Sequence, residues 1–269
     1  MTLATCPPID GDTRWVAIVA DPISQVQSPQ LFNAHFARRG INAVLLPAHV
    51  QPEHLCATLE SLRHIQNLAG IVITVPHKIA ATRFVQHLTP RARAIGSINC
   101  IRRANDANWE GDNFDGEGFV TGLLKQGHRI AGSCALLVGA AGGAGVSLAH
   151  ALAQAGIARL DLHDIRRDAL LETVDLLSSQ YATAVFDASA EALPRHQFVI
   201  NASPIGMRPE DGVPIDLSCS NPDAVIADLI MKPERTALLY DAQMRGLQTH
   251  PGRHLLENAV EKMAAFLRL

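Results

Sequence analysis

The chain has 269 residues, of which 48% are hydrophobic and 4% aromatic, and its formal net charge is −3. This length exceeds what one hydrophobic core commonly serves, so we expect two domains. The slight negative charge and the few aromatic side chains argue against a surface for nucleic acid or an anionic membrane. Scattered cysteines without a C-x-x-C pair indicate reduced thiols. We expect a cytoplasmic protein, because neither a membrane-spanning run nor a signal peptide is evident.

After an arm at residues 1–13, the chain alternates between strand and helix patterns. Strands are predicted at 15–20, 42–46 and 69–75, and helices follow each of them. Ser28 and Pro29 are typical of a helix N-cap and first position, and Gly40 ends that helix. Another helix is predicted at 52–64. Lys78 is predicted in the first turn of a third helix that runs to about Leu88. This alternation favours an α/β fold with a parallel sheet.

The pattern then changes to a predicted antiparallel hairpin, residues 97–103 and 108–112, at the edge of this sheet. Asp115 begins a predicted helix to Gln126 that leads into a second α/β domain. Strands of that domain are predicted at 134–138, 159–163, 182–186, 197–201 and 225–230, and a loop at 202–222. Helices at 235–245 and 254–269 close the chain. We predict a first domain of residues 1–112 completed by 246–269, and a second of residues 113–245.

A glycine-rich loop follows the first strand of the second domain, in the segment Gly139-Ala-Ala-Gly142-Gly143-Ala-Gly145. Strand, glycine loop and helix in this order form a phosphate cradle, in which the helix N-terminus faces a pyrophosphate. The G-x-G-x-x-G pattern fits imperfectly, with its first position at either Gly139 or Ala140. Asp164 follows the next strand, 19 residues beyond Gly145, near the spacing of a ribose-binding acid. The combination predicts a dinucleotide site.

Polar side chains at the ends of the predicted strands mark a second candidate site, since ligands bind there in open parallel sheets. Lys78 and Asp115 each follow a strand and open a predicted helix. A lysine and a carboxylate beside a nicotinamide are suited to moving the proton that accompanies hydride transfer. The histidines show no metal-ligand spacing, and no metal site is predicted.

Several of these segments resemble motifs of the shikimate and quinate dehydrogenases, and the similarity covers nearly the whole chain. They are Gly70-Ile-Val-Ile-Thr74-Val-Pro76-His-Lys78, Ser97-Ile-Asn99, Gly111-Asp-Asn-Phe-Asp115-Gly116, the Asp21–Pro29 segment and Asn201-Ala-Ser-Pro-Ile-Gly206-Met207. The resemblance implies an N-terminal α/β substrate domain, a Rossmann domain and an active site in the cleft between them. It implies that Lys78 and Asp115 are catalytic, and that Ser28, Thr74 and Asn99 bind the substrate.

Departures from that family fall at substrate-facing positions. A family serine corresponds to Val26, an asparagine to Val72 and a tyrosine to Met231. The glutamine of the last helix corresponds to Ala259, or to Asn258 after a one-residue slip. Each change removes a polar group expected to contact substrate, and lost hydrogen bonds to a hydroxyl weaken recognition strongly. We therefore expect intact proton transfer and weakened recognition of shikimate.

The predicted cofactor is NAD, with NADP as the alternative. Asp164 accepts hydrogen bonds from ribose hydroxyls and repels a 2′-phosphate, whereas Arg166 or Arg167 offsets that repulsion. The cofactor-binding residues implied by loop and family are Gly139, Ala140, Gly142, Gly143, Ala144, Gly145, Asp164, Arg166, Asn201, Ser203, Gly206, Met207 and Asp228.

The resemblance implies an NAD(P)-dependent oxidoreductase acting on a ring hydroxyl of shikimate, quinate or a related hydroxy-acid, with a place in aromatic amino acid biosynthesis. The alternatives are the same fold acting on a different hydroxy-acid, and a non-catalytic protein that binds the nucleotide or a small acid. Retention of Lys78, Asn99 and Asp115 favours an enzyme, since a sensor does not need a proton-transfer pair. The expected partner is a small-molecule substrate, with no nucleic acid or membrane, and the chain is expected to be a monomer or a homodimer.

Overall fold

The computed structural model describes residues 8–105 and 108–269. The chain divides into two compact units, one made of Met1–Phe114 with Leu256–Leu269 and the other of Asp115–Leu255. Residues 1–7 of the predicted arm and residues 106–107 of the predicted hairpin loop lie outside the described residues. At the end of the arm, the Thr13 hydroxyl donates to Asn42 Oδ1 at 2.7 Å, so this part of the arm is attached to the first unit by a hydrogen bond.

The first unit is an α/β fold built on a mixed sheet, in the strand order β2-β1-β3-β5-β6-β4. Its elements before the second unit are β1 (Arg14–Ala20), α1 (Ser28–Arg39), β2 (Ala43–His49), α2 (Leu55–Leu62), β3 (Leu68–Ile73), β4 (His87–Leu88), α3 (Pro90–Ile95), β5 (Cys100–Arg103) and β6 (Trp109–Asp112). The parallel core β2-β1-β3 and the antiparallel β5–β6 hairpin are confirmed. The sequence pattern missed α3 and β4, and β4 now forms the edge beyond the hairpin.

The predicted helix at Lys78 is wrong. The chain turns after β3 and forms only a short 3-10 helix over Ala80–Phe84. Lys78 cannot start an α-helix because its carbonyl accepts from Ile98 N at 2.9 Å, and Thr82 N bonds to Ile79 O instead. A 3-10 turn, Pro52–His54, likewise replaces the start of the predicted helix at 52–64.

The second unit contains a fully parallel sheet in the order β12-β11-β10-β7-β8-β9. Its elements, together with the helix that ends the chain, are α4 (Asp115–Lys125), β7 (Cys134–Val138), α5 (Gly143–Gln154), β8 (Arg159–His163), α6 (Arg167–Gln180), β9 (Ala184–Asp187), β10 (Phe198–Asn201), β11 (Val225–Asp228), α7 (Ala237–Met244), β12 (Gln248–Pro251) and α8 (Arg253–Phe266). From the centre, the chain runs β7-β8-β9 to one edge and β10-β11-β12 to the other. This is the doubly wound order of dinucleotide-binding folds, with its switch point between β7 and β10.

The predictions for the second unit missed α6 and β12. Strand β12 is short, contains His250 and Pro251, and exists through its pairing with β11. The structure therefore places residues 246–255 in the second unit, whereas the predicted boundary placed them in the first. The core of this unit joins strand residues such as Leu137 and Leu160 to helix residues such as Leu148 and Leu152. Among the described residues, no helix has the length and hydropathy needed to span a membrane.

Candidate active site

The glycine loop of the second unit lies at the switch point of its sheet. It connects the end of β7 to α5, whose N-cap is Gly142. In any α-helix the backbone N–H groups of the first turn point toward the N-terminus, and the Gly142 N-cap of α5 forms no side-chain capping hydrogen bond. Such groups, together with the positive end of the helix dipole, form an anion site at the position where dinucleotide folds bind a pyrophosphate.

The glycines in this loop serve different purposes. Gly139 has φ +81°, and a Cβ there would lie 2.5 Å from Ser203 N. A Cβ at Gly145 would lie 2.1 Å from Gly139 O. At Gly142 the nearest atoms to a Cβ would be Gly139 O at 3.4 Å and Arg166 Nη2 at 3.6 Å, which is ordinary contact. Gly139 thus makes the tight turn, Gly145 allows close packing of helix on strand, and Gly142 leaves the cradle open to a phosphate. The loop fits a dinucleotide cofactor.

Asp164 is held inside the loop by its own neighbours. Its carboxylate accepts from Ala141 N at 3.0 Å, from Arg166 N at 2.9 Å, and from the Arg166 guanidinium at 3.1–3.2 Å. Burial alone would raise the pKa of Asp164, but these hydrogen bonds outweigh it and hold the pKa below its usual value. The Arg166 side chain remains 52% exposed, whereas Arg167 forms a paired hydrogen bond with Asp187. Only Arg166 of the two predicted arginines therefore contacts Asp164.

The other predicted cofactor residues follow β10 and β11. Asn201 and Asp228 end these strands as directly paired residues, and Asn201 Oδ1 accepts from Ser203 N at 3.0 Å and from its hydroxyl at 2.7 Å. Gly206 has φ +108°, and its N–H donates to Asp211 at 3.0 Å. Met207 is half-buried. Asp228 is only 1% exposed and its carboxylate faces inward, so the structure does not offer it for direct contact with a cofactor.

In the first unit, the segments that carry Thr74, Lys78 and Asn99 are hydrogen-bonded to one another. Thr74 directly follows β3, and Asn99 directly precedes β5. The backbone of Asn99 accepts from Ile73 N at 2.9 Å, and the Lys78 carbonyl accepts from Ile98 N at 2.9 Å. Lys78 is half-buried. The three predicted site residues are thus brought to one end of the sheet of this unit.

Asp115 is fixed through the residues on both of its sides. On the preceding side, Asn99 Oδ1 accepts from Phe114 N at 3.0 Å. On the following side, within the second unit, Gly116 N donates to Ser147 Oγ at 2.9 Å. A Cβ at Gly116 would lie 2.1 Å from Ser147 O, so α4 and α5 pack at this point with no room for a side chain between their backbones. Asp115, 6% exposed, is therefore anchored to the helix that begins at the glycine loop.

The residues predicted to line the substrate wall differ in exposure. Ser28 is 7% exposed and is the first residue of α1, whose N-cap is Gln27 and not Ser28. Val72 is 4% exposed, on the face of β3 opposite to the core residues Ile71 and Ile73. Val26 and Met231 are half-buried in the first and second unit respectively.

Ala259 does not line an open wall, because it is 0% exposed. Asn258, the alternative position for the family glutamine, is partly exposed. One residue along an α-helix rotates the side chain by about 100°, so the two positions occupy different faces of α8. The one-residue slip therefore agrees better with the structure.

Comparison with known proteins identifies the family. Residues 18–101 match the family model described as the shikimate dehydrogenase substrate binding domain. The shikimate dehydrogenase (NADP(+)) of Rubrobacter xylanophilus is 34% identical over 265 residues, which cover 97% of this chain and 93% of that protein. The chain belongs to the shikimate dehydrogenase family. The corresponding enzyme of Symbiobacterium thermophilum, also named for NADP(+), is 31% identical over 91% of this chain and 86% of its own length.

Solved structures share the fold at lower identity. Shikimate 5-dehydrogenase from Thermus thermophilus, in complex with NADP(H) and shikimate, has a TM-score of 0.83 at 22% identity, covering 95% of this chain and 93% of its own. The 5-ketofructose reductase of Gluconobacter sp. strain CHM43 has a TM-score of 0.82 at 23% identity, covering 95% and 92%. These structures confirm the predicted α/β fold, and the curated relatives confirm the predicted family. One fold serves more than one class of substrate.

Sequence reasoning missed two residues that hold the site. Ser147 binds the N–H of Gly116, and Thr236 donates its hydroxyl to Asp228 Oδ2 at 2.7 Å. Thr236 also caps α7, since its side chain accepts from Leu239 N. A threonine before an apolar helix was a visible N-cap signal. No sequence signal distinguished Ser147, because its partner is 31 residues away.

Proposed function

We propose that this protein is a nicotinamide-dependent oxidoreductase that interconverts the ring hydroxyl of shikimate and the ketone of 3-dehydroshikimate. The observation that carries the proposal is the retention of Lys78, Asn99 and Asp115 in a chain that is 34% identical to a shikimate dehydrogenase over 97% of its length. Quinate, which shares the ring carboxylate and hydroxyls, is the related substrate. The proposed reaction belongs to aromatic amino acid biosynthesis. The oligomeric state, a monomer or a homodimer, stays a prediction.

A bound nicotinamide cofactor would supply the hydride acceptor for the alcohol carbon and, in the reverse direction, the hydride donor for the ketone. The residues of this chain move the accompanying proton. In the oxidation direction the O–H bond of the substrate breaks, its electron pair forms the carbonyl, and Lys78 takes the proton while Asp115 accepts a hydrogen bond. In the reduction direction the Lys78 ammonium donates a proton to the developing alkoxide. Such proton transfer contributes roughly 10²–10⁴-fold to a rate.

We infer that NADP(H) is the cofactor. The NAD preference predicted from Asp164 assumed that its carboxylate is available to the ribose. That carboxylate is engaged by Arg166 and two backbone N–H groups, which compensates its repulsion of a 2′-phosphate. The Arg166 guanidinium is half-exposed beside Gly142 and offers a cation to that phosphate. The NADP(+)-dependent relatives favour the same cofactor.

A spectrophotometric assay of nicotinamide reduction tests the proposal. The panel is shikimate, quinate and D-fructose, the last because 5-ketofructose reductase shares the fold, each with NADP and with NAD. We expect turnover of shikimate with NADP, at an efficiency lowered by the apolar substitutions Val26, Val72 and Met231. Turnover of another hydroxy-compound without turnover of shikimate would overturn the proposal that shikimate is the substrate. Nucleotide binding without turnover of any substrate would favour the non-catalytic alternative.

A further inference from the structure

A chain of buried hydrogen bonds lies directly behind the predicted cofactor loop of the second unit. It begins at Thr236, whose hydroxyl donates to Asp228 Oδ2 at 2.7 Å. The other carboxylate oxygen, Asp228 Oδ1, accepts from Ile230 N at 3.0 Å and from Asn201 Nδ2 at 3.1 Å. Asp228 is 1% exposed, Thr236 1% and Asn201 0%. An ionised carboxylate in this position is thus stabilised by these three donors, and all three are uncharged.

The carboxylate determines which way the Asn201 amide points. Because an ionised carboxylate only accepts hydrogen bonds, the NH₂ group of Asn201 must face Asp228. The amide oxygen of Asn201 then faces the following loop, where it accepts from Ser203 N at 3.0 Å and from Ser203 Oγ at 2.7 Å. The NH₂ group also donates to Ile205 O at 3.1 Å. One buried amide therefore sets the conformation of residues 202–205.

This loop forms one side of the turn that begins the phosphate cradle. A Cβ at Gly139 would lie 2.5 Å from Ser203 N and 2.7 Å from Ala202 C, so the two backbones are in direct contact. A shift of the Asn201–Ile205 loop therefore displaces the turn at Gly139. The hydrogen-bond chain from Thr236 through Asp228 and Asn201 reaches the cofactor site without itself being exposed to it.

We propose that Asp228 and Thr236 are positioning residues for the nicotinamide cofactor, acting through Asn201 on the loop that packs against the glycine turn. The inference rests on the proposed function only for the use of a dinucleotide, and not for the identity of the substrate. It replaces the direct cofactor contact predicted for Asp228. It also assigns Thr236 a role in cofactor binding beyond capping α7.

Protonation of Asp228 gives this arrangement a pH dependence. Burial raises the pKa of Asp228 to about 6, and the hydrogen bonds from Thr236, Ile230 N and Asn201 oppose that rise. Below this value the carboxyl gains a proton and becomes a donor as well as an acceptor, so it no longer requires each of its neighbours to be a donor and no longer imposes the orientation of the Asn201 amide. On the neighbouring strand β12, Pro251 lies opposite Asp228. His250 beside it has its pKa lowered to about 4 by burial and by His254 and His128, and is neutral in this range.

Calorimetric titration of the full chain with NAD between pH 5 and 8 measures the effect directly. NAD is the probe because it lacks the 2′-phosphate of NADP, which itself titrates in this range. We expect wild-type affinity to be constant above pH 7 and to fall as the pH drops through about 6. Asp228→Asn should bind NAD more weakly at pH 7.5, with no remaining step near that pH. A wild-type profile that is flat from pH 5 to 7 would overturn the proposal.

Variants of Thr236 separate positioning from stability. Thr236→Val removes the hydroxyl, and we expect about ten-fold weaker NAD binding at pH 7.5, the scale of one charge-assisted hydrogen bond. Thr236→Ser retains the hydroxyl and should restore the affinity. Thr183→Val is the matched control, since Thr183 is a 9% exposed threonine of the same unit that donates to Ile157 O. It should lower thermal stability while leaving NAD affinity unchanged.

Each remaining outcome distinguishes this inference from the proposed function. NAD binding with the expected pH step but no turnover of shikimate would refute the proposed substrate and leave the positioning role supported. Thr236→Val and Thr183→Val that lose stability alike, with NAD affinity unchanged in both, would show that the network is structural only. Failure of the wild type to bind either NAD or NADP would refute both the proposed function and this inference.

Discussion

At the glycine loop of the second unit, backbone geometry fixes the site, whereas around Lys78 in the first unit individual side chains do so. Gly139 and Gly145 are required because a Cβ would lie 2.5 Å or less from neighbouring backbone atoms. No comparable constraint acts on Val26 of the first unit, whose side chain is half-buried. The cofactor region can therefore retain its shape while the substrate region changes its chemistry.

The largest expected effect is on kcat, from a substitution at Lys78 in the first unit. Lys78→Ala should lower kcat by roughly 10²–10⁴-fold, because it removes the group that we propose moves the proton, while nucleotide affinity and thermal stability stay at wild-type values. Steady-state kinetics and calorimetry with NADP measure the two quantities. Lys125→Ala, at the exposed end of α4, is the control and should leave kcat unchanged. A Lys78→Ala variant that keeps more than about a tenth of the rate would exclude the proposed role.

Two glycine variants test the backbone-dependent region. Gly145→Ala places a Cβ 2.1 Å from Gly139 O, and overpacking of this kind costs about 1–3 kcal/mol or more of folding stability. Gly142→Ala has ordinary contacts of 3.4 Å or more, so it should fold normally and lose about ten-fold or more in nucleotide affinity. Thermal melts and calorimetry separate these effects. Equal stability of both variants would show that Gly145 is not needed for packing.

A smaller effect is expected beside the glycine loop, where the Arg166 side chain, and not the backbone, is proposed to bind the nucleotide. Arg166→Ala should weaken NADP binding by about ten-fold, the scale of a hydrogen bond to a charged group, and NAD binding much less. Arg167→Ala is the matched control because Arg167 is paired with Asp187. Calorimetric titration of both nucleotides measures the ratio. Equal losses for NAD and NADP would show that Arg166 does not recognise the 2′-phosphate.

The smallest effect is expected in the substrate region. Val26→Ser restores a hydroxyl at a half-buried position and should raise kcat/KM for shikimate by about ten-fold at most, the scale of one hydrogen bond. Val72→Asn should add less, because Val72 is 4% exposed between Ile18 and Cys100 and a buried amide needs partners. Val213→Ser, at a 48% exposed valine, is the control. An unchanged kcat/KM in Val26→Ser would mean that this position does not limit recognition.

The sequence alone determined the features that depend on local pattern. Short apolar runs predicted the buried parallel strands such as β7 and β10, because both faces of such strands are covered. The glycine spacing after β7 predicted the cradle, because only glycine tolerates the turn and the close packing. The motifs around Lys78 and Asp115 predicted the family because each is a contiguous segment of the chain and is therefore visible in the sequence.

Only the tertiary structure decided the features that depend on distant partners. The backbone around Lys78 forms no α-helix because Ile98, 20 residues later, takes its carbonyl. The Asp164 carboxylate is engaged by Arg166 and Ala141, which a sequence pattern cannot show. Asp228 faces inward because Asn201, 27 residues earlier, donates to it. A hydrogen bond between distant residues forms only after the strands have paired, so its geometry is a property of the fold and not of either segment.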